Sequence, residues 1–269
     1  MSTFHVIAGP DQSPAEAIVR RIGPEDLKDA LLKGFNDFAV LDDLLAMPST
    51  VIFLGVIYPM LCLYLLENGL PLLFPVMAGF ALIGPFVAVG FYEVSRRREL
   101  GLDVSWTNAF DIGRSRSIPA ILALGVVLLM IFIGWRLTAE ALYGWVFGRA
   151  APASLAQFLK DIVTTSQGWT LILLGNAIGL VFAAIVLSIS VVSFPMLLDH
   201  DVGLAVAVKT SIKAVLANPA TMALWGLIIA ASLAIGFSLL FIGLAYVAPI
   251  LAHASWHLYR KVVERVVPS

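Results

Sequence analysis

Charged side chains are scarce in this chain. Asp, Glu, Lys and Arg supply 13% of its 269 residues, and hydrophobic residues supply 60%. An ordinary soluble domain is about one quarter charged. Mean hydropathy is +0.94, so the excess apolar surface needs a solvent other than water, and lipid provides one. Cysteine is nearly absent. Cys62 is alone, which excludes an intrachain disulfide and a thiolate metal cluster; within Leu61-Cys62-Leu63 it reads as a small membrane-buried side chain. The formal net charge of -1 gives no reason to expect nucleic acid as a partner. Residues 1–46 hold no uninterrupted apolar run behind a basic start. No signal peptide is expected, and the first span must act as its own insertion signal. There is no P-loop, no nucleophile motif and no metalloprotease His-Glu-x-x-His. The apolar segments hold no evident acid of the kind that couples proton or ion transport.

Six apolar segments are present, at 49–66, 70–94, 118–137, 169–198, 220–237 and 240–259. About 20 helical residues cross a bilayer core. The fourth segment is too long for an upright span; it tilts, ends near Pro195 or continues out of the membrane. From Ala220 to Tyr259 there are 40 residues without Lys, Arg, Asp or Glu. One straight helix of that length would reach roughly 60 Å, about twice the core. The run is expected to fold back between Gly236 and Gly243, glycine accepting the backbone angles of a tight reversal; a single re-entrant helix is the other reading.

Basic residues fix the expected orientation. Fourteen of the seventeen Lys and Arg fall in the N-terminal segment, the second and fourth connections and the C-terminus, leaving Arg136, Arg149 and Lys160 for the other side. Under the positive-inside rule the first group is cytoplasmic, and so are both termini. Trp106, Trp135, Trp169, Trp225 and Trp256 fall near predicted span ends, as in an aromatic interface belt.

The cytoplasmic pieces look alike, each placing an amphipathic stretch before a proline that opens a hairpin. The first runs from Pro24 to Met47, with Leu27, Leu31, Gly34, Phe38, Leu41 and Leu45 in one stripe. The second runs from Gly101 to Pro119. The third runs from Asp201 to Pro219, with Leu204, Val208 and Val215 on one face and Asp201 as its expected N-cap. Pro85 to Glu93 and Pro249 to His257 share a spacing, and basic pairs follow both. Three repeats of surface helix plus hairpin, or chance likeness between apolar helices, account for this. The connection over 138–168 reads as one or two short interfacial helices, with a lid or a partner surface as its functional version.

The predicted architecture is therefore all-α: a polytopic membrane helical bundle of six transmembrane helices in three hairpins, with cytoplasmic amphipathic helices. Residues 1–23 form a flexible N-terminal tail, 24–262 a single membrane domain and 263–269 a C-terminal tail.

Five residues stand out as a polar site or as packing. His253 and His257, four apart, share a helix face; a metal or haem iron would need further ligands from other helices, and an interfacial pair beside Trp256 and Tyr259 is the plainer reading. Glu93 precedes Arg96, Arg97 and Arg98 and pairs with Arg96 or Arg97 at helical spacing, or serves as a carboxylate at the cytoplasmic mouth. Asn176, between Gly175 and Gly179, suits close helix packing and a hydrogen bond across an interface. Tyr58 lies in the first span. Asp199-His200-Asp201 reads as the solvated end of a helix. No catalytic residue, metal site or cofactor is expected.

Several stretches resemble a family of predicted bacterial integral membrane proteins, domain of unknown function 2189. They are Gly84-Pro85-Phe86, then Gly90-Phe91-Tyr92-Glu93-Val94-Ser95-Arg96-Arg97, and Val104-Ser105-Trp106. Ser193-Phe194-Pro195-Met196-Leu197-Leu198-Asp199, Ala217-Asn218-Pro219 and His253-Ala254-Ser255-Trp256-His257-Leu258-Tyr259-Arg260 belong with them. The resemblance covers most of residues 25–262 and implies an inner-membrane location in proteobacteria. It brings no activity, substrate or catalytic residue. Members can carry a cytochrome-oxidase-subunit label, but four histidines placed as here exclude a haem–copper core.

The expected role is a non-enzymatic accessory, scaffold or assembly partner of another membrane complex or of itself, in contact with the lipid bilayer. The alternative is a pore or carrier for a small neutral or amphiphilic molecule, with a polar cavity near Asn176, Tyr58 and Glu93. A cluster of Glu93, Asp199, His200 and His257 in one cytoplasmic pocket would favour an enzyme.

Overall fold

The computed structural model describes residues 17–40, 64, 82–104, 113, 115–148, 152, 154–238 and 242–264. The first predicted span with Tyr58 and Cys62 (Tyr64 apart), the first part of the second span, and residues 105–112 and 114 of the amphipathic stretch from 101 to 119 lie outside these residues. Among the described residues the elements are helical. Helix α1 is Pro24–Val40, α2 is Val89–Glu99, α3 is Ile118–Phe147, α4 is Leu155–Thr164 and α5 is Ser166–Ser190. Helix α6 is Ser193–Asp199, α7 is Leu204–Ala217, α8 is Pro219–Ser238 and α9 is Ile242–Val262. Among the described residues, three stretches are long and apolar enough to cross a membrane: Ile118–Phe147, Ser166–Asp199 and Pro219–Ser238.

Local chemistry explains most of the boundaries. Pro24 opens α1, where its missing N–H costs nothing. Asp26 accepts from the Gly23 N–H at 2.9 Å. Pro119 likewise stands in the first turn of α3. That helix runs ten residues past the predicted end at 137, so the expected 138–168 connection shrinks to Gly148, the residues up to Ser154, and the short α4. Ser154 caps α4 by accepting from Gln157 N–H, and Thr165 caps α5 by accepting from Gly168 N–H. The long fourth segment is interrupted at Val191–Val192. Pro195 has no N–H to offer the carbonyl four residues earlier, so the ladder fails there. At the same break the buried Val192 N–H leaves the helix ladder and donates to Ser211 Oγ of α7. Gly203, not Asp201, is the N-cap of α7. Its buried face carries the small residues Ala207, Thr210, Ser211 and Ala214, because α7 lies close against α5 and α6.

Helix α9 is the centre of the described fold and packs against α1, α2, α6 and α8. Helices α8 and α9 meet near Gly236, where a Cβ would sit 2.7 Å from the Leu244 side chain. That glycine is needed for close approach and not for a special backbone angle. Gly175 and Gly179 of α5 face Leu142 and Trp135 of α3. Trp135, Trp225 and Trp256 are buried, so these three pack between helices and do not form the expected interface belt; Trp169 is exposed.

Helix α1 buries Leu27, Ala30, Gly34 and Asp37, the three–four spacing of one helical face. This face lies on α9. A Cβ at Gly34 would fall 2.5 Å from the Ala254 backbone nitrogen and 2.7 Å from its Cβ. Residues 17–22, read from sequence as tail, are fixed as well. Val19 and Val263 form an antiparallel bridge, and Arg20 N–H donates to Val262 O at 2.8 Å. Asn218, between α7 and α8, accepts from Ile22 N–H and donates to Arg20 O.

Replacing Gly34 with Leu forces side-chain atoms into the Ala254 backbone. An overpacking cost of about 1–3 kcal/mol is expected, read as a lowered Tm of the detergent-solubilised protein. Gly23→Leu, with nothing within 4 Å of its Cβ position, should leave Tm near the wild-type value.

Candidate functional site

The polar residues converge where α1, α2, α6 and α9 meet. Asp37 enters from the buried face of α1. Its Oδ2 accepts from Ser95 Oγ at 2.6 Å and from His257 Nε2 at 2.8 Å, and its Oδ1 accepts from Arg98 Nη1 at 2.9 Å. The same Arg98 nitrogen donates to the Asp37 backbone carbonyl at 2.8 Å. A serine hydroxyl has one proton, and this one goes to the carboxylate. The 2.7 Å contact between Ser95 Oγ and His253 Nδ1 is then an Nδ1–H donating to the hydroxyl. The His253 tautomer follows: Nδ1 carries the proton and Nε2 keeps its lone pair. That Nε2 is buried without a hydrogen-bond partner, beside the Phe91 ring at 5.5 Å between centroids.

A second set is centred on Asp199, at the end of α6. Its Oδ2 accepts from Tyr259 OH at 3.0 Å and from Arg260 Nη1 at 2.9 Å. Arg96 approaches the other oxygen at 3.7 Å, and His200 Nε2 lies 3.3 Å from Oδ2. Glu99 accepts from Trp256 Nε1 at 3.1 Å and Arg260 Nε at 3.2 Å. Along the outer side of α1, Lys261 reaches both Asp26 and Asp29.

The sequence-predicted residues fall as follows. Glu93 is buried and paired with Arg96 at 3.2 Å, with Arg97 at 3.9 Å. Arg96 joins it to Asp199 and so to His200. His257 instead meets Asp37, so the four-residue pocket that would favour an enzyme is divided between two centres. Asn176 is exposed and donates to Ile172 O of its own helix at 2.7 Å. The facing of Gly175 on Leu142 and Gly179 on Trp135 sets Asn176 near the level of the Arg136–Glu140 ion pair, towards the far end of α5 and away from Glu93. Tyr58 lies outside the described residues.

Asp37, Ser95, Arg98 and Glu99 were missed from sequence. One signal existed for Asp37: it continues the Leu27, Ala30, Gly34 spacing, which places a carboxylate on a buried helical face.

This arrangement holds helices together. Ser95 gives its hydrogen bond to the Asp37 carboxylate and is 1% exposed, so its hydroxyl is turned inward between the helices. Of the two α9 histidines, His257 uses Nε2 on Asp37 and His253 uses Nδ1 on Ser95. Among the described residues, no group of three or more His, Cys, Asp or Glu is placed to hold a metal.

Burial alone would raise the Asp37 pKa, but hydrogen bonds from His257, Ser95 and Arg98 outweigh it and hold the carboxyl well below the usual carboxylate range. The folded value lies below the unfolded one of about 3.9. The stability that Asp37 contributes is therefore fully present above about pH 4 and is lost as pH falls towards the folded value. Thermal unfolding in detergent should show Tm dropping as pH is lowered from about 5 to about 3. Asp37→Asn should start from a lower Tm and lose less over the same interval.

No curated protein and no solved structure matches the chain. Residues 73–199 do match a family. That stretch contains Glu93, Ser95, Arg98, Glu99, Asn176 and Asp199, and it leaves out Asp37, His253 and His257. The family is the one described as predicted integral membrane protein (DUF2189), the same family that the sequence motifs resemble, and the chain carries its pattern from the second apolar segment to the end of α6.

Proposed function

We propose that this protein is a non-enzymatic accessory, scaffold or assembly partner of another membrane complex. It would be a multi-pass protein of the bacterial inner membrane, with six spans in three hairpins and both termini in the cytoplasm. One observation carries the reading. The carboxylates at the meeting of α1, α2, α6 and α9, Asp37 and Glu93 buried and Asp199 and Glu99 at its edge, are each held by Arg, His, Ser, Tyr or Trp from the same chain. Such a network fixes helices against one another. A reaction centre keeps at least one activated group free for substrate.

The orientation is supported by charge. Arg96, Arg97, Arg98, Arg260 and Lys261 gather at the polar end of the bundle, and the opposite end, among the described residues, holds Arg136 and Lys160. Broad apolar faces of α3, α5 and α8 remain exposed, including Leu129, Met130, Leu180, Val181 and Leu227. They offer contact area to lipid and to helices of a partner.

Gentle native extraction, followed by mass spectrometry of co-migrating chains, tests the reading. A reproducible partner at fixed stoichiometry is expected. Migration of the protein alone, with no partner under several mild detergents, would overturn it.

A further inference from the structure

At the end of the α3–α5 pair opposite the polar network, α4 presents three different edges. Phe158, Asp161 and Ile162 are half-buried against the pair, with the Phe158 ring 6.1 Å from that of Tyr143 on α3. Leu159 and Val163 are 53% and 58% exposed, and share a face at i, i+4 spacing. Gln157, Lys160 and Thr164 are exposed on the remaining arc. Going round the helix, the order is protein, apolar, polar. A helix in contact with only protein and water has no use for the middle arc.

The connection to α5 is rigid. Thr165 Oγ1 donates to Asp161 O at 2.6 Å and accepts from Gly168 N–H at 2.9 Å. A Cβ at Gly168 would overlap the carbonyl oxygens of Ile162 and Asp161, so the two helices close on each other only because that residue is glycine. Trp169 Nε1 donates to Val163 O at 3.2 Å, which sets the indole, 53% exposed, beside the apolar edge. A lid swings on a loose hinge; four contacts tie this element down.

We infer that the Leu159–Val163–Trp169 edge is inserted in the headgroup–acyl boundary of the bilayer. The occupant is lipid for three reasons. The edge continues into the exposed apolar face of α5 at Leu173 and Leu174, a helix long and apolar enough to span. It lies beyond the exposed Arg136–Glu140 pair, a charged level that the hydrocarbon core does not accommodate, and so falls in the interfacial zone. Exposed tryptophans there, Trp169 and the 73% exposed Trp145, have the apolar body and polar N–H that suit headgroup depth. Lys160 on the polar arc stays in water or at the phosphates.

Site-directed spin labelling tests this in proteoliposomes. With Cys62, the only cysteine, replaced by Ser, labels are attached through Leu159→Cys, Val163→Cys, Lys160→Cys and Thr164→Cys in separate full-length proteins. All four sites are exposed, so folding should survive; size-exclusion profiles check it. Collision with oxygen relative to a water-soluble nickel chelate should be several-fold higher at 159 and 163 than at 160 and 164. Equal nickel access at all four sites would put the edge in water and overturn the inference. Low access to both reagents at 159 and 163 would show protein covering the edge, and would overturn it too.

Discussion

Asp37 sits on the buried face of α1, and a carboxylate taken out of water survives only where donors replace the water. Here the replacements come from two other helices: Ser95 and Arg98 from α2, His257 from α9. Each bond fixes a distance, and three bonds from two directions fix the pose of α1. The remaining contacts follow from that pose. Gly34 meets Ala254 because Asp37, one turn on, is already held. Lys261 reaches Asp26 and Asp29 because α9 runs beside α1 to its end. Removing one donor would leave a buried charge under-satisfied, which is the costly direction for such pairs. The network is a strong constraint on geometry even where its net contribution to stability is modest.

Much of the helix content was legible because hydropathy and punctuation both report it. The segment around 220–237 emerged as α8 with small shifts, 118–137 emerged as the first two thirds of α3, and the described part of the last segment, 242–259, lies within α9. Length was less legible. Thr138 and Glu140 lie past the predicted end at 137, yet Thr138 bonds back to Gly134 O and Glu140 pairs with Arg136, so the helix absorbs both and continues. The break at Val191–Val192 lay four residues before the proline that causes it, since the proline's missing donor is felt one turn back.

The site was much less legible, for a reason of distance. Asp37 and His257 are 220 residues apart in sequence, and Ser95 and His253 are 158 apart. No local pattern relates such pairs. Tryptophans misled for a similar reason: chemistry favours the interface for an indole, but Trp225 and Trp256 found partners or packing inside the bundle, and a single sequence does not say which neighbours a helix will have. Glu93 was the exception, because its Arg96 partner is three residues away and the helix repeat alone brings them together.

The Val19–Val263 bridge joins two distant parts of the described chain, and α1 lies along α9. During synthesis, α1 leaves the ribosome more than two hundred residues ahead of His257. At about 5–20 residues per second, that interval is on the order of ten to forty seconds. Through it, Asp37 and the apolar stripe of α1 have no α9 to rest on. Helix α1 must wait, parked in water or on the membrane surface, until α9 arrives, so the contact between them closes only after the chain that separates them has been made.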